Sequence, residues 1–149
     1  MNNLDIALLD FWGGFFDNTR SPPLRLPAFA GHAFIRNPQG QAVPPPFPYI
    51  TYQLAEPDFR GTIPGIASVW DRRLGMPNFR GLTNHVAEQI KEAIPADAGR
   101  ILRLENGTVN IERQPNFLVY PDWPDPDDPL IVRLMINFAL TNFVATEKQ

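Results

Sequence analysis

Cysteine is absent from these 149 residues, which excludes disulfides and thiolate metal sites and fits synthesis in a reducing compartment. Histidine is nearly absent: His32 and His85 are the only two, and neither has a partner at the spacing of a metal site or a catalytic triad. Both read as ordinary structural or surface histidines. The only serines, Ser21 and Ser68, stand outside any nucleophile elbow, and no glycine-rich phosphate loop occurs. Lysine is confined to Lys91 and Lys148, so the basic charge is mostly arginine. Arginine suits planar, bidentate contacts between protein surfaces, whereas lysine mostly solvates. A net charge of −3 weighs against a general DNA or RNA binder. No apolar run reaches membrane-spanning length, and the start Met1-Asn2-Asn3-Leu4-Asp5 lacks the basic stretch of a signal peptide. The expectation is a soluble, unexported protein that is not an enzyme and needs no cofactor.

Proline, by contrast, is abundant at 17 residues, so the connections should be long, extended and stiff. Pro44, Pro45, Pro46 and Pro48 lead directly into a strand. Each fixes φ and removes an amide donor, which excludes a helix or a central ladder strand there. From Tyr49 onward the pattern alternates, with Ile50, Tyr52 and Leu54 on one face and Tyr49, Thr51 and Gln53 on the other. A strand entered through an extended proline-rich arm over 24–48, in a chain poor in catalytic groups, points to assembly rather than turnover. With 44% hydrophobic and 19% charged residues the chain reads as globular, one domain over 1–149.

Leu4, Leu8, Phe11 and Phe15 recur at helical spacing, with Asn3 as cap, Asp5 in the first turn and Gly13-Gly14 at the end. Residues 24–35 are extended, broken by Pro27 and Gly31. Residues 56–65 read as a loop and 66–73 as a strand with Ile66, Ser68, Trp70 and Arg72 on one side. Asn78 caps a helix over 79–94 whose buried stripe is Leu82, Val86, Ile90 and Ala93/Ile94, stopped by Pro95. Asn106-Gly107 predicts a two-residue type I′ hairpin with Leu104 opposite Val109 and Leu102 opposite Ile111. A short strand over 117–120, an acidic loop over 121–129 and a long strand over 130–142 complete the chain. In the last, Leu130, Val132, Leu134, Ile136, Phe138 and Leu140 share a face, and residues 145–149 fray. The order predicts an α+β fold, an antiparallel or mixed sheet with a hairpin and two helices packed on one face.

The one cluster that resembles a metal site is Asp122, Asp125, Asp127 and Asp128 in the run Pro-Asp-Trp-Pro-Asp-Pro-Asp-Asp-Pro. Carboxylates can hold Ca²⁺ or Mg²⁺, which keeps open a small metal-dependent hydrolase. The loop has neither the turn glycine nor the closing glutamate of an EF-hand, and its prolines restrict convergence, so a stiffened, solvated hairpin loop is the better reading. A negative surface facing a basic partner or a passing polyanion is a third. Glu88 and Glu92, one helical turn apart, read as a solvated face. Among the aromatic residues, Tyr49 and Trp123 are the expected interface anchors.

The element order, together with Val43-Pro44-Pro45-Pro46-Phe47-Pro48-Tyr49-Ile50-Thr51-Tyr52, resembles the tail terminator (neck) proteins of long-tailed bacteriophages over about residues 3–142. There an N-terminal helix precedes a proline-led strand, followed by a strand, a helix, a hairpin and a long final strand. The resemblance implies a non-enzymatic virion protein, made in the host cytoplasm. It would form a homohexameric ring on the tail tube, stop polymerisation and present a surface to the head-completion (stopper) protein. Genomic DNA would pass through the lumen without specific binding. Heterologous contacts whose rotation closes make such a ring, and sheet edges suit them. The expected interface residues are Pro44, Pro45, Pro46, Phe47, Tyr49, Asp122, Trp123, Asp125, Asp127 and Asp128, with the aspartates on an exposed ring surface. Deleting residues 36–48 is expected to abolish the ring while the monomer folds. Another head–tail connector component, or a monomeric binding module, are the alternatives that need no catalysis.

Overall fold

A computed structural model describes residues 3–55, 61–72, 82–121 and 124–145. Helix α1 (Asn3–Trp12) buries Leu4, Leu8 and Trp12, one residue per turn along a single stripe. Asn3 is the first helical residue and not the cap. The Gly13 and Gly14 amides close the end onto the Leu9 and Phe11 carbonyls, at 2.8 and 3.2 Å. Phe15 lies past the helix and is still buried in the same cluster. The chain then runs through β1 (Phe16–Asp17) and β2 (Leu24–Arg25), an antiparallel pair, and β3 (Ala28–Ala30). The buried Asp17 carboxylate accepts from the Thr19 amide and hydroxyl and from Arg20 Nε, which shapes the intervening turn.

Between β3 and the main sheet, β4 (Ile35–Arg36) and β5 (Ala42–Val43) pair as a separate hairpin. The expected arm is therefore extended only in part. Asn37 folds it back: its Oδ1 accepts the Gln39 and Gln41 amides at 3.0 and 2.9 Å. Gly40 supplies the positive φ of 78° that the turn needs.

The strands β6 (Tyr49–Leu54), β7 (Ile63–Arg72), β8 (Arg100–Leu104), β9 (Gly107–Val119) and β10 (Ile131–Ala145) complete a six-stranded sheet ordered β3-β6-β7-β10-β9-β8. Only β3 and β6 run parallel, so the sheet is mixed and the fold is α+β. Ile50 and Tyr52, Ala67 and Val69, Val109 and Ile111, and Leu134, Ile136, Phe138 and Leu140 form one buried face. Helix α2 (Thr83–Ala93) lies across β7 and β10 on that face and buries Val86, Ala87 and Ile90. Helix α1 touches both terminal strands, β3 and β8, so the sheet curls around it. No helix among the described residues is long and apolar enough to cross a membrane.

Several local expectations are corrected. The hairpin register is Leu104 opposite Gly107 and Leu102 opposite Val109, which makes Glu105-Asn106 the turn. A slip of two keeps every side chain on its face, so the apolar pattern is blind to it. Gly107 takes no positive φ. Its missing side chain serves β10 instead, because a Cβ there would collide with the Val144 carbonyl oxygen. Residues 117–119 are not a separate strand but the end of β9, which loops out at 114–117 opposite Asn137. Asn116 takes a φ of 58° there and its carbonyl accepts from Asn137 Nδ2 at 2.7 Å.

The loop expected over 56–65 gives way to strand by Ile63, and the last strand continues past Asn142 to Ala145. Helix α2 starts at Thr83, with Leu82 as its cap residue and no side-chain cap. Asn78 lies outside the described residues. The orphaned Leu82 amide donates instead to the Asp71 carboxylate on β7 at 3.1 Å, a cap delivered through space. At the other end Arg113 on β9 donates from Nε to the Ile94 carbonyl (2.7 Å) and from Nη2 to that of Lys91 (3.0 Å). A cation there also complements the helix dipole.

Candidate interface surface

The face of the sheet turned away from the helices carries a ladder of aromatic rings. Register places Tyr49 opposite Trp70, and Trp70 opposite Arg133 on its other side. Tyr49 stacks on Phe47 (5.4 Å between centroids) and on Trp70 (6.4 Å), while Phe29 meets Tyr49 edge-on. The Arg133 guanidinium lies 4.8 Å from the Trp70 ring, a cation–π contact. Hydrogen bonds fix the two ends: Trp70 Nε1 donates to Thr51 Oγ1 at 3.0 Å and Arg133 Nε to Ser68 Oγ at 2.9 Å. Burial raises the Tyr49 hydroxyl above its ordinary pKa and lowers that of Arg133. Both stay in their usual charge states near neutrality. The result is a rigid row of half-buried rings ending in a fixed cation, the kind of surface that loses little entropy when it is covered.

Two residues along β7, on the same face, Arg72 Nε donates to Asp128 Oδ2 at 2.8 Å. The proline-led segment and the acidic loop, distant in sequence, therefore lie at the same end of the sheet. Of the expected interface residues, Phe47 and Tyr49 belong to the ladder, Pro44 and Pro46 are exposed, and Pro45 is buried. Asp122 and Trp123 lie outside the described residues. Asp125 and Asp128 cap their own turns, accepting the Asp127 and Leu130 amides at 2.8 and 3.0 Å. Asp127 is exposed. Asp125 and Asp128 are thus engaged by the backbone and by Arg72, and among the described residues no carboxylate or histidine cluster suited to a metal forms.

The bond from Arg72, then that from the Leu130 amide, holds the Asp128 carboxyl below the ordinary aspartate range. A carboxyl lowered in the folded state contributes stability above its unfolded pKa and loses it as pH falls through the folded value. Arg72→Ala should therefore move the Asp128 titration, followed by carboxyl-carbon NMR, upward toward the ordinary aspartate value. An unchanged titration would show that the pair does not hold in solution.

Two further features were invisible in the sequence because they depend on which strands pair. The β4–β5 hairpin exposes Phe34 (50%) and Ile35 (40%). Strand β8 ends the sheet, its Ile101 is 67% exposed, and beside it runs a groove of roughly 700 Å³ toward α1 and α2. No protein-family model matches the chain, and no curated protein matches it in sequence.

Proposed function

We propose that this chain is a structural subunit of a homohexameric ring that caps the tail tube of a long-tailed bacteriophage, ends its polymerisation and joins the tail to the head-completion proteins. The observation that carries the reading is an open sheet with two unlike ends. The short parallel strand β3 stands at one end and the five-residue β8, beside a groove, at the other, while the separate β4–β5 hairpin carries exposed Phe34 and Ile35. Unlike surfaces join head to tail, and head-to-tail contacts form closed rings when the rotation permits. The proline-led entry into β6, followed by strand, helix, hairpin and long last strand, supports the same reading.

In this reading the subunit catalyses nothing. The turn bonds of Asp125 and Asp128 weigh against a metal-dependent hydrolase. A rigid ring face made of the Phe47–Tyr49–Trp70–Arg133 ladder docks one axial partner, the tube protein or the head-completion protein. The slightly acidic chain lets DNA pass without holding its phosphates. Sedimentation of the purified protein should give a six-fold mass, and electron microscopy should show rings capping tubes of fixed length. A monomer at all concentrations, or rings that bind portal-side components and ignore tubes, would replace this reading with a binding module or another connector subunit.

A further inference from the structure

Resting on the assembly reading above, we infer that the β4–β5 hairpin of one copy docks against the β8 edge of the next, in the groove between α1 and α2. The hairpin is a preformed knob. Its backbone closes on itself through Asn37 and Gln41, and Arg36 lies over the Phe34 ring at 5.6 Å and donates to the Gly40 carbonyl. A knob already ordered loses little freedom on docking. Yet Phe34 and Ile35, two large apolar side chains, remain exposed on it.

Strand β8 is the matching socket. Among the described residues no strand pairs with its outer side, so alternate N–H and C=O groups face away from β9 as a template for strand addition. Ile101 offers apolar surface beside those groups, and Phe11 lines the groove. Charge fixes the orientation. Asp10 and Glu92 stand on the helical walls, whereas Arg100 and Arg103 stand on the strand. The hairpin carries one charge, Arg36, and no acid. It therefore fits with Phe34 and Ile35 toward Ile101 and Arg36 toward the helix carboxylates. A second copy is the occupant because one chain carries both halves at different places, which is the requirement for a heterologous, closing contact.

The lack of cysteine gives a clean test. Ile35→Cys and Ile101→Cys alter exposed side chains, so both variants keep the fold. Treated with a short bis-maleimide, the double variant should give a ladder of covalent multimers ending at the ring, several-fold above either single variant. Ile101→Asp should lower the assembled fraction several-fold at fixed concentration. A six-fold mass with no ladder, or a link within one subunit only, would overturn the docking and leave the assembly reading standing. A monomeric protein would remove both.

Discussion

Replacing Phe138 by alanine should cost about 3–5 kcal/mol of folding stability, the range seen for buried aromatic truncations. Phe138 joins several layers of this fold. Phe138 sits in β10, fully buried, and its ring lies 5.2 Å from that of Trp12 on α1. On the neighbouring strand its partner is Gly65, and the ring fills the space where a Cβ at 65 would stand. The side chain therefore holds the central strand, its neighbour and the N-terminal helix together. Gly65 has no side chain with which to fill the gap, and Trp12 is pinned against Phe11 and Phe15. For a domain of this size the loss corresponds to a fall of roughly 6–20 °C in Tm. Circular dichroism melts measure it. A fall of only a degree or two would mean that α1 does not dock on β10 as described.

The sheet and the second helix were legible in the sequence because their signals are periodic and local. Alternation in β6, β7 and β10 and the stripe Val86–Ile90–Ile94 each fix a face without reference to anything else. Register was less legible. The Asn106-Gly107 pair carries a strong turn signal, but Gly107 is needed against Val144, and that demand is visible only once β9 and β10 are paired. The cap on α2 was hidden for the same reason, since Asp71 is near Leu82 in space and not a local capping residue. Of the candidate surface, the sequence supplied Phe47 and Tyr49. Trp70 was placed on one side of its strand with Ile66, Ser68 and Arg72, but its partner Arg133 comes from a strand more than sixty positions away. Composition had singled out the acidic loop. The structure gives Asp125 and Asp128 local structural work, and Asp128 meets Arg72, which the sequence had set beside Trp70 without linking it to the loop.

Excising residues 35–43 should abolish the proposed ring with the melting temperature almost unchanged, whereas excising 36–48 should lower both assembly and stability. The proline-rich segment is two devices, not one. Ile35 pairs with Val43 at the base of the hairpin, so the residues that flank the cut, Phe34 and Pro44, are brought close together. One or two glycines can bridge that gap without pulling on the sheet. Everything removed in that cut belongs to the separate β4–β5 hairpin, whose turn is satisfied by its own Asn37 and Gln41. The longer cut also removes Pro45, which is buried, and Phe47, which stacks on Tyr49 and continues the ladder to Trp70 and Arg133. Loss of that packing destabilises β6 itself, on the scale of an aromatic pair plus its buried area, about 1–3 kcal/mol. Sedimentation and thermal melts on both variants separate the two roles. A 35–43 deletion that still forms rings would show that the hairpin is ornamental, and assembly would then rest on the outer face and the sheet edges alone.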